Sequence, residues 1–197
     1  MMKTTTSISV RVNARRFARG KSINHLDMKI LKRLLLVLVV LLIVIQFFHP
    51  AKNQSTEVLP TDISKVYGPI PADINSILGK ACNDCHSNNT VYPWYNNIQP
   101  VAWWLNNHIE EGKRHLNFSD FGSSRIGRQY KRMQDCIDEV KQGDMPLDSY
   151  LWIHKDAKLT DEEKQKLYAW FNTIRDTIKA KYPADSLIVP KRPQRPQ

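Results

Sequence analysis

The feature that most constrains the fold is the pentapeptide Cys82-Asn83-Asp84-Cys85-His86, in which two cysteines three positions apart are followed by a histidine. Two thiols at this spacing can form thioether bonds to the two vinyl groups of a haem, and the adjacent histidine is then placed to ligate the iron. We therefore predict one covalently bound haem c, with Cys82 and Cys85 as its attachment points and His86 as its proximal ligand.

Two other interpretations of the cysteine pair are less well supported. A structural zinc site needs a second pair of Cys or His ligands at a matching spacing, and the sequence has no second C-x-x-C. A thioredoxin-like redox pair starts a helix in an α/β fold, whereas this pair falls at the end of a predicted helix. An anchored thiol-redox protein is the less favoured alternative. The third cysteine, Cys136, is interpreted as a small buried hydrophobic residue.

The formal net charge of +10 suggests a nucleic-acid partner only until its distribution is examined. Residues 1–33 hold nine Lys or Arg side chains and one acid, whereas the remaining residues hold 20 basic and 18 acidic side chains. A nearly neutral body lacks the basic surface with which proteins bind DNA or RNA. We therefore expect no nucleic-acid partner.

The basic residues precede an apolar run over residues 34–48, which reads LLLVLVVLLIVIQFF and contains one polar side chain. With the apolar residues just before it, this run approaches the length of about 20 residues that a spanning helix needs, and no small-residue cleavage site follows it. We therefore expect a transmembrane signal-anchor over residues 30–48. Residues 1–29 are then a basic cytoplasmic arm, or an over-long start if Met28 is the true first residue.

The orientation of this anchor follows from the charges on its two sides. Lys29, Lys32 and Arg33 precede the run, and only Lys52 follows it closely. The positive-inside rule keeps the basic side in the cytoplasm. The rest of the chain is therefore predicted to lie in the periplasm, held at the bacterial cytoplasmic membrane.

Apolar periodicity predicts four helices after the anchor. The first has Asp73 as N-cap and ends at the cysteine motif, and the second starts at Pro100 and ends near Gly112. The third is stopped by Gly143, and the last begins at Thr160 with a Thr-x-x-Glu capping box. We expect a tether over residues 49–70, an all-α haem-binding domain over residues 71–183 and an unstructured Pro-rich tail over residues 184–197.

The order of these features resembles the single-haem haem-binding domain family of bacterial envelope proteins, which is related in plan to class I cytochromes c. The resemblance implies a cytochrome c-like bundle of about four helices around one haem, preceded here by the transmembrane helix. The residues that carry it are Cys82-x-x-Cys85-His86-Ser87, Trp94, Pro100, Trp103-Trp104, His108-x-x-x-Gly112, Asn117, Met145-Pro146-x-x-x-Tyr150-x-x-x-His154, Leu159-Thr160-x-x-Glu163 and Trp170.

A second iron ligand is expected from the loop between the third and fourth helices. Met145 precedes a proline there, and a loop methionine is the usual way in which this fold plan completes the iron. His154 lies only nine positions further on and is the alternative sixth ligand. Ligation by two histidines would lower the reduction potential, whereas a thioether raises it.

Other residues are candidates for the haem pocket. Trp94 and Trp104 could wall the haem, with ordinary core packing as an equal interpretation. His108 falls on the apolar face of the second helix, either as a hydrogen-bonded core residue or as a partner of a haem propionate. Charged side chains that could neutralise propionates, or merely be solvated, are Arg114, Arg125, Arg128 and Lys131.

The function that these predictions favour is electron transfer with an envelope redox partner protein. The alternative is a haem enzyme or a gas or redox sensor with a labile sixth site, for example a peroxidase-like haem. Since the resemblance implies no defined reaction and no part of the chain is left over for an enzyme module, a carrier is the preferred reading.

Overall fold

The computed structural model describes residues 25–189, in two compact units that divide after Ile45. The first unit contains helix α1 (His25–Ile45), whose apolar side chains from Leu34 to Val44 are all exposed. Within residues 25–189, no helix combines the length and the apolar character that crossing a bilayer requires. The transmembrane helix expected over residues 30–48 is therefore not found: α1 stops at Ile45, and its first half carries charged residues.

The second unit is helical throughout. Its described residues contain no β-strand, only an isolated bridge between Gln54 and Asn89. The predicted all-α fold class is confirmed. The helices are α2 (Ile63–Tyr67), α3 (Ala72–Ala81), α4 (Asn83–His86), α5 (Val101–His115), α6 (Ile126–Gln142), α7 (Asp148–Leu151) and α8 (Asp161–Lys181), with short 3₁₀ turns at Trp94–Asn97, Phe118–Ser123, Lys155–Ala157 and Ala184–Leu187.

Local sequence signals explain where the longest helices begin and end. The Thr160 hydroxyl accepts a hydrogen bond from the Glu163 amide, and the Glu163 carboxylate accepts one from the Thr160 amide, so the predicted capping box at the start of α8 is confirmed. Gly143 ends α6 with a φ of +83°, a left-handed conformation that glycine adopts without steric cost.

The first predicted helix is interrupted at the cysteine motif. A single helix was expected to run from Asp73 into Cys85, but α3 ends at Ala81 and Cys82 leaves the helical region with a φ of −132°. The chain resumes as the one-turn helix α4, which ends at His86. Asp73 lies inside the first turn of α3, after Pro71 as N-cap. The break separates most of the cysteine motif from α3.

The apolar core lies between α6 and α8 and is closed by α2, α3 and the turn Phe118–Ser123. Burial of these side chains is the dominant stabilising term for a domain of this size. The buried members are Ile63, Ile74, Ile77, Leu78, Phe118, Phe121, Met133, Ile137, Val140, Leu159, Leu167, Phe171, Ile174 and Ile178.

Residues 49–70, which were expected to form a tether, pack against the helical domain. Asn53 donates hydrogen bonds to the carbonyl oxygen of Ser87 and the hydroxyl of Thr90, and its own side-chain oxygen accepts one from Lys113. Ile63 is 1% exposed in the core. The segment is held by polar contacts to residues far along the chain. Because such contacts produce no apolar periodicity, the sequence pattern did not reveal them.

The first residues of the predicted unstructured tail are folded against the domain. Residues 184–187 form a 3₁₀ turn that contacts α6, where Gly127 leaves room for the Ser186 carbonyl oxygen: a Cβ at Gly127 would lie 2.8 Å from that atom. Leu187 packs against the core. The Pro-rich residues 190–197 and most of the basic arm over residues 1–29 lie outside the described residues.

Candidate functional site

A cavity of about 640 Å³ opens between the cysteine motif, α5, α6 and the loop after α6. Its volume falls within the roughly 300–1,000 Å³ of small-molecule and cofactor sites. Cys82, Cys85, His86 and Met145 all contribute to its wall, so the chain brings its four predicted attachment and ligand residues to one cavity. The neighbouring wall is mostly apolar, with Leu116, Phe118, Val140, Leu159, Leu167 and Phe171 among its side chains.

The ring of His86 is held by the C-terminal end of α5. Its Nδ1 lies 3.1 Å from the carbonyl oxygen of Gly112 and 3.0 Å from that of Leu116. Both partners are acceptors only, so Nδ1 must carry the proton and Nε2 must present its lone pair. Burial lowers the pKa of His86, which favours the neutral ring. No hydrogen bond to Nε2 is formed within the described part of the chain.

Both cysteines of the motif carry free thiols. Burial, with a smaller contribution from Cys85, raises the pKa of Cys82 to about 12. Burial, with a smaller contribution from Asp84, raises the pKa of Cys85 to about 11. They are therefore protonated at neutral pH. Cys136 on α6 is also free and lines the same cavity, and burial raises its pKa as well. It lines the cavity wall and also packs against the apolar core.

Gly112 allows α5 to approach the cysteine motif. A Cβ atom at this position would lie 2.6 Å from the backbone oxygen of Cys85 and 3.0 Å from its Cβ. Any side chain would therefore force α5 and α4 apart. The sequence placed Gly112 near the end of a helix, but its role is a close approach that also brings its carbonyl oxygen to the His86 ring.

Met145 is positioned by the way α6 ends. The amides of Asp144 and Met145 both donate to the carbonyl oxygen of Glu139, at 3.0 and 3.3 Å, after the chain reverses at Gly143. The Met145 side chain is half-buried, packs against the core and reaches the cavity wall. The methionine is thus held in a short loop fixed to a helix end.

His154, the alternative sixth ligand, lies elsewhere. Its ring stacks on that of Tyr150 at 4.0 Å with an angle of 11° between the planes, and its Nδ1 lies 3.1 Å from the Tyr150 carbonyl oxygen. It lines a separate small crevice with Tyr95 and Leu105 rather than the main cavity. Of the two candidates, Met145 is the one that shares a cavity with His86.

The remaining pocket candidates divide in the same way. His108 lines the cavity, with its Nδ1 2.8 Å from the Trp104 carbonyl oxygen. Trp104 packs on the His108 ring at 4.4 Å but is half-exposed and does not reach the cavity wall. Trp94 is 76% exposed and packs on Tyr95, also away from the cavity. Of the four basic residues suggested for propionates, Lys131 alone lines the cavity.

One contact and one lining residue of the site were not predicted from the sequence. The Tyr150 hydroxyl donates to the Asp84 carboxylate at 2.8 Å and so joins the cysteine motif to α7. Burial and this hydrogen bond raise the pKa of Tyr150. Arg132 also lines the cavity. Tyr150 belongs to the family pattern and could have been singled out, whereas no signal in the sequence distinguishes Arg132 from its basic neighbours.

The residues present fit a haem. The cavity wall offers a neutral imidazole with a free Nε2, a thioether and two thiols, the donor set that binds a c-type haem and its iron. The model of the haem-binding domain family matches residues 40–173, more than half of the chain. No curated protein and no solved structure matches the chain. On its family match and on this donor set, the chain belongs to the haem-binding domain family and is a haem-binding protein.

Proposed function

We propose that this protein attaches one haem c through Cys82 and Cys85, ligates its iron with His86 and Met145, and serves as an electron carrier. The observation that carries the proposal is the environment of His86. Nδ1 donates to two carbonyl oxygens, so Nε2 carries the lone pair. A histidine that ligates a metal through one ring nitrogen usually donates a hydrogen bond from the other.

The chain's own residues define what the site does. The two thiols would hold the ring covalently, while the carbonyl oxygens of Gly112 and Leu116 orient the imidazole. Phe118 packs edge-on against His86, with 6.5 Å between the ring centroids, and would help to exclude water from the imidazole. When bound, the haem supplies one-electron chemistry at an iron that alternates between the ferric and ferrous states.

Electron transfer is favoured over a reaction at the iron because two candidate protein ligands, His86 and Met145, line one cavity and would together hold the iron. Met145 lines the same cavity as His86 and is held by the end of α6. An iron with two protein ligands has no position left for a substrate or a gas. A thioether ligand also raises the reduction potential relative to two histidines.

We further propose that the helical domain works on the outer side of the bacterial cytoplasmic membrane, near an envelope redox partner protein. The support is the basic segment that precedes the apolar residues 34–48, together with the exposed apolar surface of α1 from Leu34 to Val44. Apolar surface of this extent in water calls for a membrane or a protein to cover it. A reporter active only in the periplasm should work when fused after Gln197; activity of a cytoplasm-only reporter there would reverse the assignment.

Spectroscopy of the haem-loaded full chain tests the carrier function. The expected result is a six-coordinate, low-spin spectrum that does not change when carbon monoxide is added to the reduced protein. A high-spin spectrum with rapid binding of carbon monoxide would indicate an open or labile sixth site instead, as in a peroxidase-like enzyme or a gas sensor. A colourless protein would leave a thiol-redox function.

A further inference from the structure

Arg132 on α6 is a half-buried cation on the cavity wall. Its guanidinium donates hydrogen bonds to the hydroxyl of Ser124 at 2.7 Å and to the carbonyl oxygen of Arg114 at 3.4 Å. Both partners are neutral. Within residues 25–189, Arg132 forms no ion pair with a carboxylate.

The other cationic groups around the cavity differ from Arg132 in this respect. Lys131 is paired with Asp135 at 2.6 Å, and Arg114 is paired with Glu111 at 2.6 Å. These charges have partners within the protein.

The titratable groups near the Arg132 guanidinium come from α6 and from the turn that precedes it. Arg128, Asp135 and Cys136 lie near it on α6, and Asp120 approaches from the turn before α6. Burial, and then repulsion by Arg128, lower the pKa of Arg132, while Cys136 and the carboxylates of Asp120 and Asp135 oppose this effect. A half-buried cation without a carboxylate partner is stabilised by an anion that enters the cavity.

A haem propionate is the anion that this geometry suits. A guanidinium presents five N–H groups in a planar fork that matches a carboxylate, and the two hydrogen bonds of Arg132 leave donors free. We propose that Arg132 binds one propionate of the haem by a charge-assisted hydrogen bond, with Ser124 and the Arg114 carbonyl oxygen fixing the guanidinium. This inference rests on the proposed haem site and adds to it the residue that orients the haem edge.

The test compares the full chain, produced with covalent haem, with the R132Q, R132K and R128Q variants, by measuring the reduction potential as a function of pH. A haem has two propionates, and an adjacent guanidinium keeps the one it binds ionised, so the wild-type potential should show no more than one inflection near the ordinary carboxyl pKa of about 4.3. R132Q should add the inflection of the released propionate, at a pH about one unit or more above its wild-type value. R132K should restore the wild-type profile in large part. R128Q removes the same charge from an exposed side chain outside the cavity and should change the profile much less than R132Q does.

The outcomes separate this inference from the function on which it rests. Wild-type protein without covalent haem would overturn the proposed function and the propionate contact together. Haem-loaded R132Q with a wild-type pH profile would overturn the propionate contact alone. If R132Q does not fold, the wild-type profile still decides, because two propionate inflections at or above the ordinary carboxyl pKa are incompatible with a guanidinium beside one of them.

Discussion

The Nδ1 atom of His86 lies 3.0 Å from the carbonyl oxygen of Leu116, the residue that caps α5. Carbonyl groups at a helix C-terminus lack partners within the helix, and here the imidazole N–H supplies one. The same ring also meets the Gly112 carbonyl oxygen, one turn earlier. The end of α5 therefore determines both the tautomer and the orientation of the candidate iron ligand.

We expect Gly112→Ala to damage the site because the new methyl group would lie 2.6 Å from the Cys85 oxygen. Overpacking of this kind costs about 1–3 kcal/mol, and moving α5 would also break the His86 hydrogen bonds. Denaturant unfolding measures the loss. Gly79→Ala is the matched control, because a Cβ there meets nothing within 4 Å and an exposed helical glycine replaced by alanine should gain about 0.5–1 kcal/mol. Equal effects of the two changes would refute the close-approach role.

The sixth ligand is tested by Met145→Ala and His154→Ala in the haem-loaded protein. Met145→Ala should abolish the weak thioether-to-ferric-iron absorption near the red edge of the visible spectrum and lower the reduction potential. His154→Ala should leave both nearly unchanged, since His154 stacks on Tyr150 away from the cavity. If Met145→Ala keeps the wild-type spectrum and potential, the ligand is a histidine.

Tyr150→Phe should weaken the connection between the cysteine motif and α7. The hydroxyl donates to the Asp84 carboxylate at 2.8 Å, and a hydrogen bond to a charged group contributes about 1.5–3 kcal/mol. Tyr182→Phe is a suitable control because Tyr182 is 44% exposed. The free energy of unfolding should fall for Tyr150→Phe and stay within about 0.5 kcal/mol for Tyr182→Phe. No difference between the two variants would show that the contact adds nothing.

Glu163 should make stability depend on pH. A hydrogen bond from Lys80, whose Nζ lies 2.6 Å from its carboxylate, lowers the pKa of Glu163, with help from the Thr160 amide. A carboxyl with a lowered folded-state pKa stabilises fully above its unfolded pKa of about 4.3 and loses that contribution as pH falls through the folded value. Glu163→Gln should therefore lose roughly 0.2–1 kcal/mol at pH 7 and little in acid.

The control for Glu163 is Glu162→Gln, which removes a neighbouring carboxylate that pairs with Lys166 on the surface of α8. Its effect on unfolding should be small at both pH values, because both side chains are exposed. Unfolding curves for both variants at pH 7 and pH 3 provide the measurement. A loss for Glu163→Gln that is the same at both pH values would contradict the ion-pair explanation.

The sequence predicts those parts of the fold that depend on neighbouring residues. The capping box at Thr160 and the left-handed Gly143 are short-range signals, and both occur where expected. Asn53 could not be predicted in the same way, because its partners Ser87 and Thr90 lie more than 30 positions away. Polar contacts at that separation leave no periodic pattern.

The same distinction between short-range signals and long-range contacts applies to the candidate site. The cysteine motif is contiguous, so its chemistry can be read directly from the residues. The selection of Met145 over His154 as the cavity residue depends on how α6 ends and on the stack with Tyr150, both of which are tertiary features. Arg132 is distinguished from Arg125 and Arg128 by its place on the cavity wall, and from Lys131 by its lack of a carboxylate partner in the described structure.

The central claim is that Cys82 and Cys85 hold a haem covalently. The most direct test is the mass of the denatured full chain after co-expression with a c-type haem maturation system, beside a variant with both cysteines changed to alanine and a Cys136→Ala control. We predict that the wild type and Cys136→Ala retain the mass of one haem under denaturing conditions and that the double variant loses it. A haem that stays covalently bound to the double variant, or a wild type that releases its haem on denaturation, would contradict the account.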